Sequence, residues 1–325
     1  MALTLDARTS GYRLAPALVA AAIAAGVNLV FPLASPLLVA LVLGVVVTNT
    51  PLARHRILHD QERLTKLLLR WGVVMLGIKL PIDAVFGIGL GGVAVVIGTV
   101  LITYYGTLAI GARLRLEPRF VTLLAAGFSI CGAAAIAAVA DTVRARQRDV
   151  ALAVALVTVF GSIMIALVPW ASHLIGLDEA QAAVWAGASI HEVAQVVAAG
   201  SVLGGGAVAL ATTVKLGRVA MLAPMSILVA RRCADEGSRK APLLPWFVVG
   251  FIAAVALRST GVLPESALTV AGVVTNVLLA AGMFGLGLGI RMRELWPVPA
   301  RALVLATLST AIAAGSSLAL LAILV

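Results

Sequence analysis

Charge is scarce in this chain: only 12% of its 325 residues are Asp, Glu, Lys or Arg. A soluble domain keeps roughly 25% because its surface faces water, so that class is excluded. No polar stretch is long enough for a separate soluble domain, and residues 1–325 are read as one integral membrane unit. Cysteine is nearly absent as well. Cys131 and Cys233 have neither a disulfide framework nor a metal-ligand spacing, and no metal or cofactor is expected. There is no phosphate-binding P-loop, so the chain itself offers no direct drive by ATP. His191-Glu192 is not followed by a histidine at the spacing of a zinc peptidase, and no nucleophile elbow is present, so an enzyme is not expected. What the chain has in abundance is apolar surface: 62% hydrophobic residues and a mean hydropathy of +1.10. The solvent that fits is a lipid bilayer.

Apolar runs predict membrane spans near 14–33, 36–49, 62–80, 88–112, 149–172, 206–230, 243–262, 266–290 and 299–325. They are expected to be helical, because a bilayer core demands internal hydrogen bonding of every backbone group. The first run ends at Phe31-Pro32 without a small-residue cleavage pattern, so it reads as a span and not as a signal peptide. The net charge of +10 is not a nucleic-acid footprint, because it alternates along the chain. One set of loops and loop-proximal turns holds Arg8, Arg13, Arg54, Arg56, Arg63, Lys66, Arg70, Arg113, Arg115, Arg119, Arg144, Arg146, Arg148, Arg231, Arg232, Arg239, Lys240, Arg291, Arg293 and Arg301. That is 20 of the 24 basic residues. The opposite loops hold Asp83, His173, Asp178, Glu179 and Glu265, with Lys79 and Arg258 at their edge. The basic loops and the N-terminus are therefore expected in the cytoplasm.

Two segments, 118–142 and 178–201, break the pattern. Each has a half-length apolar stretch, a small polar break and another half-length stretch. The breaks read Ala-Gly-Phe-Ser-Ile-Cys-Gly (126–132) and Ala-Gly-Ala-Ser-Ile-His-Glu (186–192), an internal repeat at an offset of 60. If the first segment crossed the membrane, Arg144, Arg146 and Arg148 would lie outside and Asp178 and Glu179 inside. Charge bias thus favours two re-entrant hairpins entering from opposite faces, with broken spanning helices as the alternative (eleven helices if both cross). A second likeness pairs Pro36…Gly44 with Pro242…Gly250 and Gly72…Gly77 with Gly282…Gly287, at offsets of 206 and 210. The paired spans run in opposite directions, as inverted repeats do, yet the two sets of offsets are not collinear.

A helix N-terminus presents unpaired N–H groups and the positive end of its dipole. Half-helices opening after Ser129 and Ser189 are expected to aim two such ends at one point near the midplane. Both hydroxyls would add donors, Cys131 lies at the turn, and Gly132 would permit close backbone approach. Such a site suits an oxyanion; the plainer alternative is that small residues only let helices pack closely. His191 and Glu192 open the second half-helix, with Gln195 one turn on. Glu192 is expected to carry a proton and His191 to titrate near neutral pH, the alternative being that Glu192 caps a helix. Lys215 and Arg218, three residues apart, share one face well inside a span. Two buried cations need an anion, and Glu192 can neutralise only one of them. The remaining positive charge is what an anionic substrate would complete. Asn28, Asn49 and Asn276 are expected to hydrogen-bond between helices.

At Gly127-Phe-Ser-Ile-Cys-Gly132, Ile190-His-Glu-Val-Ala-Gln-Val196 and Val214-Lys-Leu-x-Arg218, the chain resembles the YeiH-like family of bacterial inner-membrane proteins, whose name assigns them sulfate export. The resemblance runs from the second span to about Ile290. It implies a polytopic all-α transporter of the cytoplasmic membrane, with sulfate or an organic sulfonate as partner; nothing in the residue spacing selects sulfur. It falls on Ser129, Cys131, Gly132, His191, Glu192, Gln195, Lys215 and Arg218. The resulting expectation is alternating access by a secondary anion transporter, as a single chain or a homo-oligomer. Cation/proton exchange is the rival within transport, weakened by the lack of paired intramembrane aspartates. An intramembrane enzyme built on Ser129, Ser189 or Cys131 with His191, and a channel, are the others.

Overall fold

Among the described residues every regular element is helical. The computed structural model describes residues 7–31, 36–58, 61–79, 87–204, 206–235, 246–289, 291 and 298–325. Asp83, Arg239, Lys240, Arg293 and Pro242 lie outside them, as do the side chains of Arg8, Arg13, Arg54, Arg56 and Cys233. The helices are α1 (Ala7–Val30), α2 (Pro36–Thr48), α3 (Glu62–Gly77), α4 (Gly89–Arg113), α5 (Pro118–Ser129), α6 (Ala133–Ala140), α7 (Gln147–Leu174), α8 (Glu179–Ser189), α9 (Val193–Leu203), α10 (Ala207–Ala220), α11 (Leu222–Asp235), α12 (Trp246–Ser259), α13 (Glu265–Leu288) and α14 (Ala300–Leu324). By length and composition α4, α7, α10 continued into α11, α13 and α14 are each able to cross a membrane. The expected span 206–230 is interrupted at Met221. Pro224 has no N–H to offer the Ala220 carbonyl, so the helix restarts one residue on.

Local chemistry sets the half-helices. Pro118 opens α5 at the position where a missing N–H costs nothing, and the Glu117 carboxylate accepts from the Phe120 N–H at 2.9 Å. Asp178 opens α8 with a reciprocal cap, accepting from the Gln181 N–H at 2.8 Å while Gln181 Oε1 accepts from the Asp178 N–H at 3.3 Å. The α5–α6 break is a sharp reversal, with Gly132 at φ 72° and ψ −131°. The α8–α9 break is extended, with Ile190 at φ −66°, ψ 147° and Glu192 at φ −115°, ψ 149°.

Both broken segments return to the end they came from. Arg119, at the start of α5, donates to the Arg144 carbonyl beyond the end of α6 at 3.4 Å. Glu179, at the start of α8, accepts from the N–H groups of Gly206 and Ala207 beyond the end of α9 at 2.9 and 3.0 Å. The 28 residues of α7 separate the two mouths by about 42 Å at 1.5 Å per residue. The hairpins therefore enter from opposite ends, and the charge-bias reading of 118–142 and 178–201 agrees with the packing. The end carrying loops 113–119 and 141–148 is the basic end of the molecule.

Two sets of helices pack internally. In one, α13 lies along α2 and α3, α12 along α3, and α1 against α2 and α13. Gly44 of α2 meets Gly287 of α13 there, and small residues of this kind let membrane helices approach closely. In the other set α4 pairs with α14 and α5, while α7 and α10 hold the hairpins. Contact between the sets runs through α3 against α6 and through α11 against α6 and α12. Asp141, just past α6, pairs with Lys66 at 2.9 Å and with Arg70, both on α3.

The same-end hairpins make a topological prediction. In a chain with Cys233 replaced by Ser, Arg113→Cys and Arg146→Cys should react with a membrane-impermeant maleimide from the same side of the membrane. His173→Cys and Ser201→Cys should react from the other. Labelling of positions 113 and 146 from opposite sides would show that α5–α6 crosses.

Candidate functional site

The hairpin tips meet around the two cations of α10, all of it shielded from solvent. Lys215 and Arg218 are 0% exposed. Lys215 Nζ donates to the Ile130 and Ile190 carbonyls, each at 2.7 Å, and so links one tip to the other. Arg218 uses every N–H of its guanidinium. Nε donates to Ser129 O at 3.1 Å, Nη1 to Ala188 O at 2.6 Å and Ile190 O at 3.0 Å, and Nη2 to Phe128 O at 2.9 Å and Ser129 O at 2.8 Å. These carbonyls are the unpaired C-terminal groups of α5 and α8, the negative ends of both helix dipoles. The cations thus lie where the backbone is most electronegative and least able to bond to itself.

Glu192 reaches the other way. Its side chain crosses from the second hairpin to the first, and its carboxylate faces the backbone N–H of Ala133 at the start of α6. A Cβ on residue 132 would stand 2.5 Å from Glu192 Cγ and 3.1 Å from Oε1. Gly132 is required twice over, for this approach and for its positive φ. Thr158 of α7 donates to Glu192 Oε1 at 3.3 Å. Oε2 has no hydrogen-bond partner although the residue is only 3% exposed. Gln195 is built into the frame: its Oε1 accepts from the Glu192 N–H at 3.1 Å and its Nε2 donates to Thr158 O at 3.1 Å. Gln195 lies flat against Gly161 of α7, where a Cβ would collide with its amide.

The remaining expected site residues divide. His191 is buried, with Nε2 3.2 Å from Thr310 Oγ1 of α14, its ring 4.7 Å from that of Phe128, and Nδ1 without a partner. Cys131 is buried at the first tip as a free thiol. The Ser129 and Ser189 hydroxyls point back along their own helices, to Ala126 O at 3.4 Å and Trp185 O at 2.6 Å, instead of forward as donors. Asn276 of α13 accepts at 3.4 Å from Lys79, which lies just past the end of α3. Thr158, Thr310 and Gly161 were not among the residues singled out in the sequence. The spacing Thr158-x-x-Gly161-Ser162, a small polar stripe on one face of an apolar helix, was the available signal.

A cavity of about 710 Å³ opens at the basic end between the two helix sets. Gln61, Thr65, Lys66, Asp141, Gln147 and Arg148 give it polar walls, and Ala137 of α6 lies on its surface. Ala137 is one turn, about 6 Å of helix rise, from Ala133 at the tip site.

An all-helical bundle with hairpins meeting around buried charge defines a polytopic membrane protein. The profile of a family described as Conserved hypothetical protein 698 matches residues 13–306. A UPF0324 membrane protein of Corynebacterium glutamicum is 40% identical over 306 residues, covering 93% of this chain and 89% of that one. Those of Pseudomonas aeruginosa and Agrobacterium fabrum are 37% and 36% identical over 293 and 250 residues, covering 84% and 75% of this chain and 82% and 71% of theirs. The chain belongs to the UPF0324 membrane protein family, which the resemblance to YeiH-like proteins fits. No solved structure matches it.

Replacing Gly132 with Ala should be among the most disruptive single-methyl changes in the molecule. Backbone strain alone contributes about 1–3 kcal/mol, before Glu192 is displaced. The unfolding midpoint in detergent should fall by several degrees. Gly315→Ala, where an added Cβ meets nothing within 4 Å, should leave it unchanged or raise it. Equal midpoints for the two variants would rule out the tip packing described.

Proposed function

We propose that this protein is a secondary transporter that moves a small anion across the bacterial cytoplasmic membrane by alternating access. Sulfate or an organic sulfonate is the substrate class, on the strength of the family resemblance. The observation that carries the reading is the charge at the hairpin tips: among the described residues, two fully buried cations stand against a single buried carboxylate. Ionisable groups at that depth are costly and rare unless they serve a path through the membrane. One positive charge is left for a substrate to complete. Arg218 has no donor free, so the anion would be held by the third N–H of Lys215, by N–H groups at the starts of α6 and α9, and by the field of both cations.

The packing supports alternating access. Exchange α2 with α12, α3 with α13, α4 with α14, α5 with α8, α6 with α9 and α7 with α10. Neighbours then map onto neighbours: α2–α13 onto α12–α3, α4–α5 onto α14–α8, α4–α10 onto α14–α7, and α5–α7 onto α8–α10. Exchanged helices run in opposite directions, the arrangement of an inverted repeat. In the second copy the hairpin and α10 precede the outer helices instead of following them. Such a permuted order accounts for sequence likenesses at offsets of 60 and of 206 and 210. The cavity at the basic end fits a cytoplasm-facing state, with α3 and α6 as the surfaces that would slide.

The test is counterflow of labelled sulfate into liposomes loaded with unlabelled sulfate. Wild type should accumulate label transiently. Lys215→Met, which keeps the aliphatic stem, should lose at least tenfold in rate while remaining monodisperse and helical. Absence of sulfate and sulfonate uptake would remove that substrate class. Failure of every small anion, with a pH gradient dissipated by added cations, would replace the anion reading with cation exchange.

A further inference from the structure

We infer that the Glu192 carboxylate is a tethered anion occupying the place of the transported one, and that it gives up that place by taking a proton. This rests on the anion-transport reading and adds to it the coupling step. The carboxylate belongs to the second hairpin but is delivered to the N-terminus of α6 in the first, the position where a free oxyanion would be held best. Glu192 stands at the N-cap of its own helix α9, and its side chain also reaches the start of α6 in the opposing hairpin, across a glycine that leaves it room.

The bonding of the carboxylate is incomplete in a way that fits displacement. Oε1 takes one long bond, from Thr158 at 3.3 Å, and Oε2 takes none. Among the described residues neither Lys215 nor Arg218 pairs with it within 4.0 Å, because both are held by hairpin carbonyls. The groups facing it are Lys215 from α10, Cys131 from the first tip and the uncharged Thr158 of α7; His191 is its neighbour in the chain, and Arg218 lies one turn beyond Lys215 with its donors on hairpin carbonyls. His191 is engaged with Thr310 of α14.

An anion moving along α6 from the cavity, past Ala137, meets a negative charge already in the site. Two anions at one helix end repel, and inside a low-dielectric interior that repulsion is large. A proton added to the carboxylate removes the conflict: the carboxyl is neutral and the incoming anion takes over the helix end, a monovalent one replacing the Glu192 charge and a divalent one such as sulfate also completing the positive charge left at the tips. Proton and anion then leave together when the site opens to the other face, so their movement is coupled one to one in the same direction.

Three measurements test this. In weakly buffered detergent solution, binding of sulfate or methanesulfonate to wild type should take up about one proton per anion at neutral pH; no uptake, or release, overturns the inference without any variant. In liposomes, wild-type counterflow should slow as pH rises. Glu192→Gln should abolish that dependence and the accumulation driven by a pH gradient, while Glu192→Asp should keep both. A folded Glu192→Gln protein that shows no counterflow, or that keeps the wild-type pH dependence, sinks the tethered anion and leaves the transporter standing. Absence of counterflow in wild type is a different outcome, and it removes the transport reading itself.

Discussion

The structure depends on how two helices are allowed to stop in the middle of a membrane. Each hairpin leaves C-terminal carbonyls at its tip, where no water is available and an unpaired polar group costs several kcal/mol. Lys215 and Arg218 answer both tips at once, with seven hydrogen bonds to the carbonyls of residues 128–130, 188 and 190. Their charges also oppose the negative ends of two dipoles. The benefit runs both ways, since a buried cation without such partners would be as unstable as the bare carbonyls.

From that contact the rest of the arrangement follows. Lys215 bridges Ile130 and Ile190, so the tips must come within one ammonium's reach. That proximity brings the start of α6 against the second hairpin, and Gly132 is the residue type that leaves room for Glu192. Gln195 then ties the second hairpin to α7 through the Thr158 carbonyl, and Gly161 lets it lie flat. Lys215, Gly132, Glu192, Gln195, Thr158 and Gly161, from α10, the two hairpins and α7, are fixed by one need, which is to satisfy the ends of interrupted helices.

Much of this was legible in the sequence, for identifiable reasons. Loop arginines grouped 144–148 with 113–119 at one end, where Arg119 and Arg144 meet. The repeated Ala-Gly-x-Ser-Ile marked both tips, and Lys215 and Arg218 stood out because a charge in an apolar run needs a reason. What could not be read was the partner of those cations. Backbone carbonyls carry no letter in a sequence, so the five carbonyl groups that hold the pair could not be foreseen. The serines were misleading for a related cause. A hydroxyl in an apolar helix has a carbonyl three or four residues back as its nearest acceptor, and Ser129 and Ser189 take it. Thr158 and Thr310 were invisible because an isolated threonine in a membrane helix is common and only the fold shows what it faces.

A site whose arginine is saturated by backbone has consequences for recognition. Bidentate guanidinium clamps read the shape of an oxyanion, and that device is unavailable to Arg218 while the hairpins are intact. On the transport reading, the tip site senses charge through dipoles and the field of two cations, and a field discriminates poorly among anions of similar size. Selectivity must then come from the route. The polar wall of the cavity at the basic end, with Gln61, Thr65, Gln147 and Arg148, is where shape and hydrogen-bonding pattern are first met. Substitutions there should change which anion is carried, whereas those at the tips should change whether any anion is carried at all.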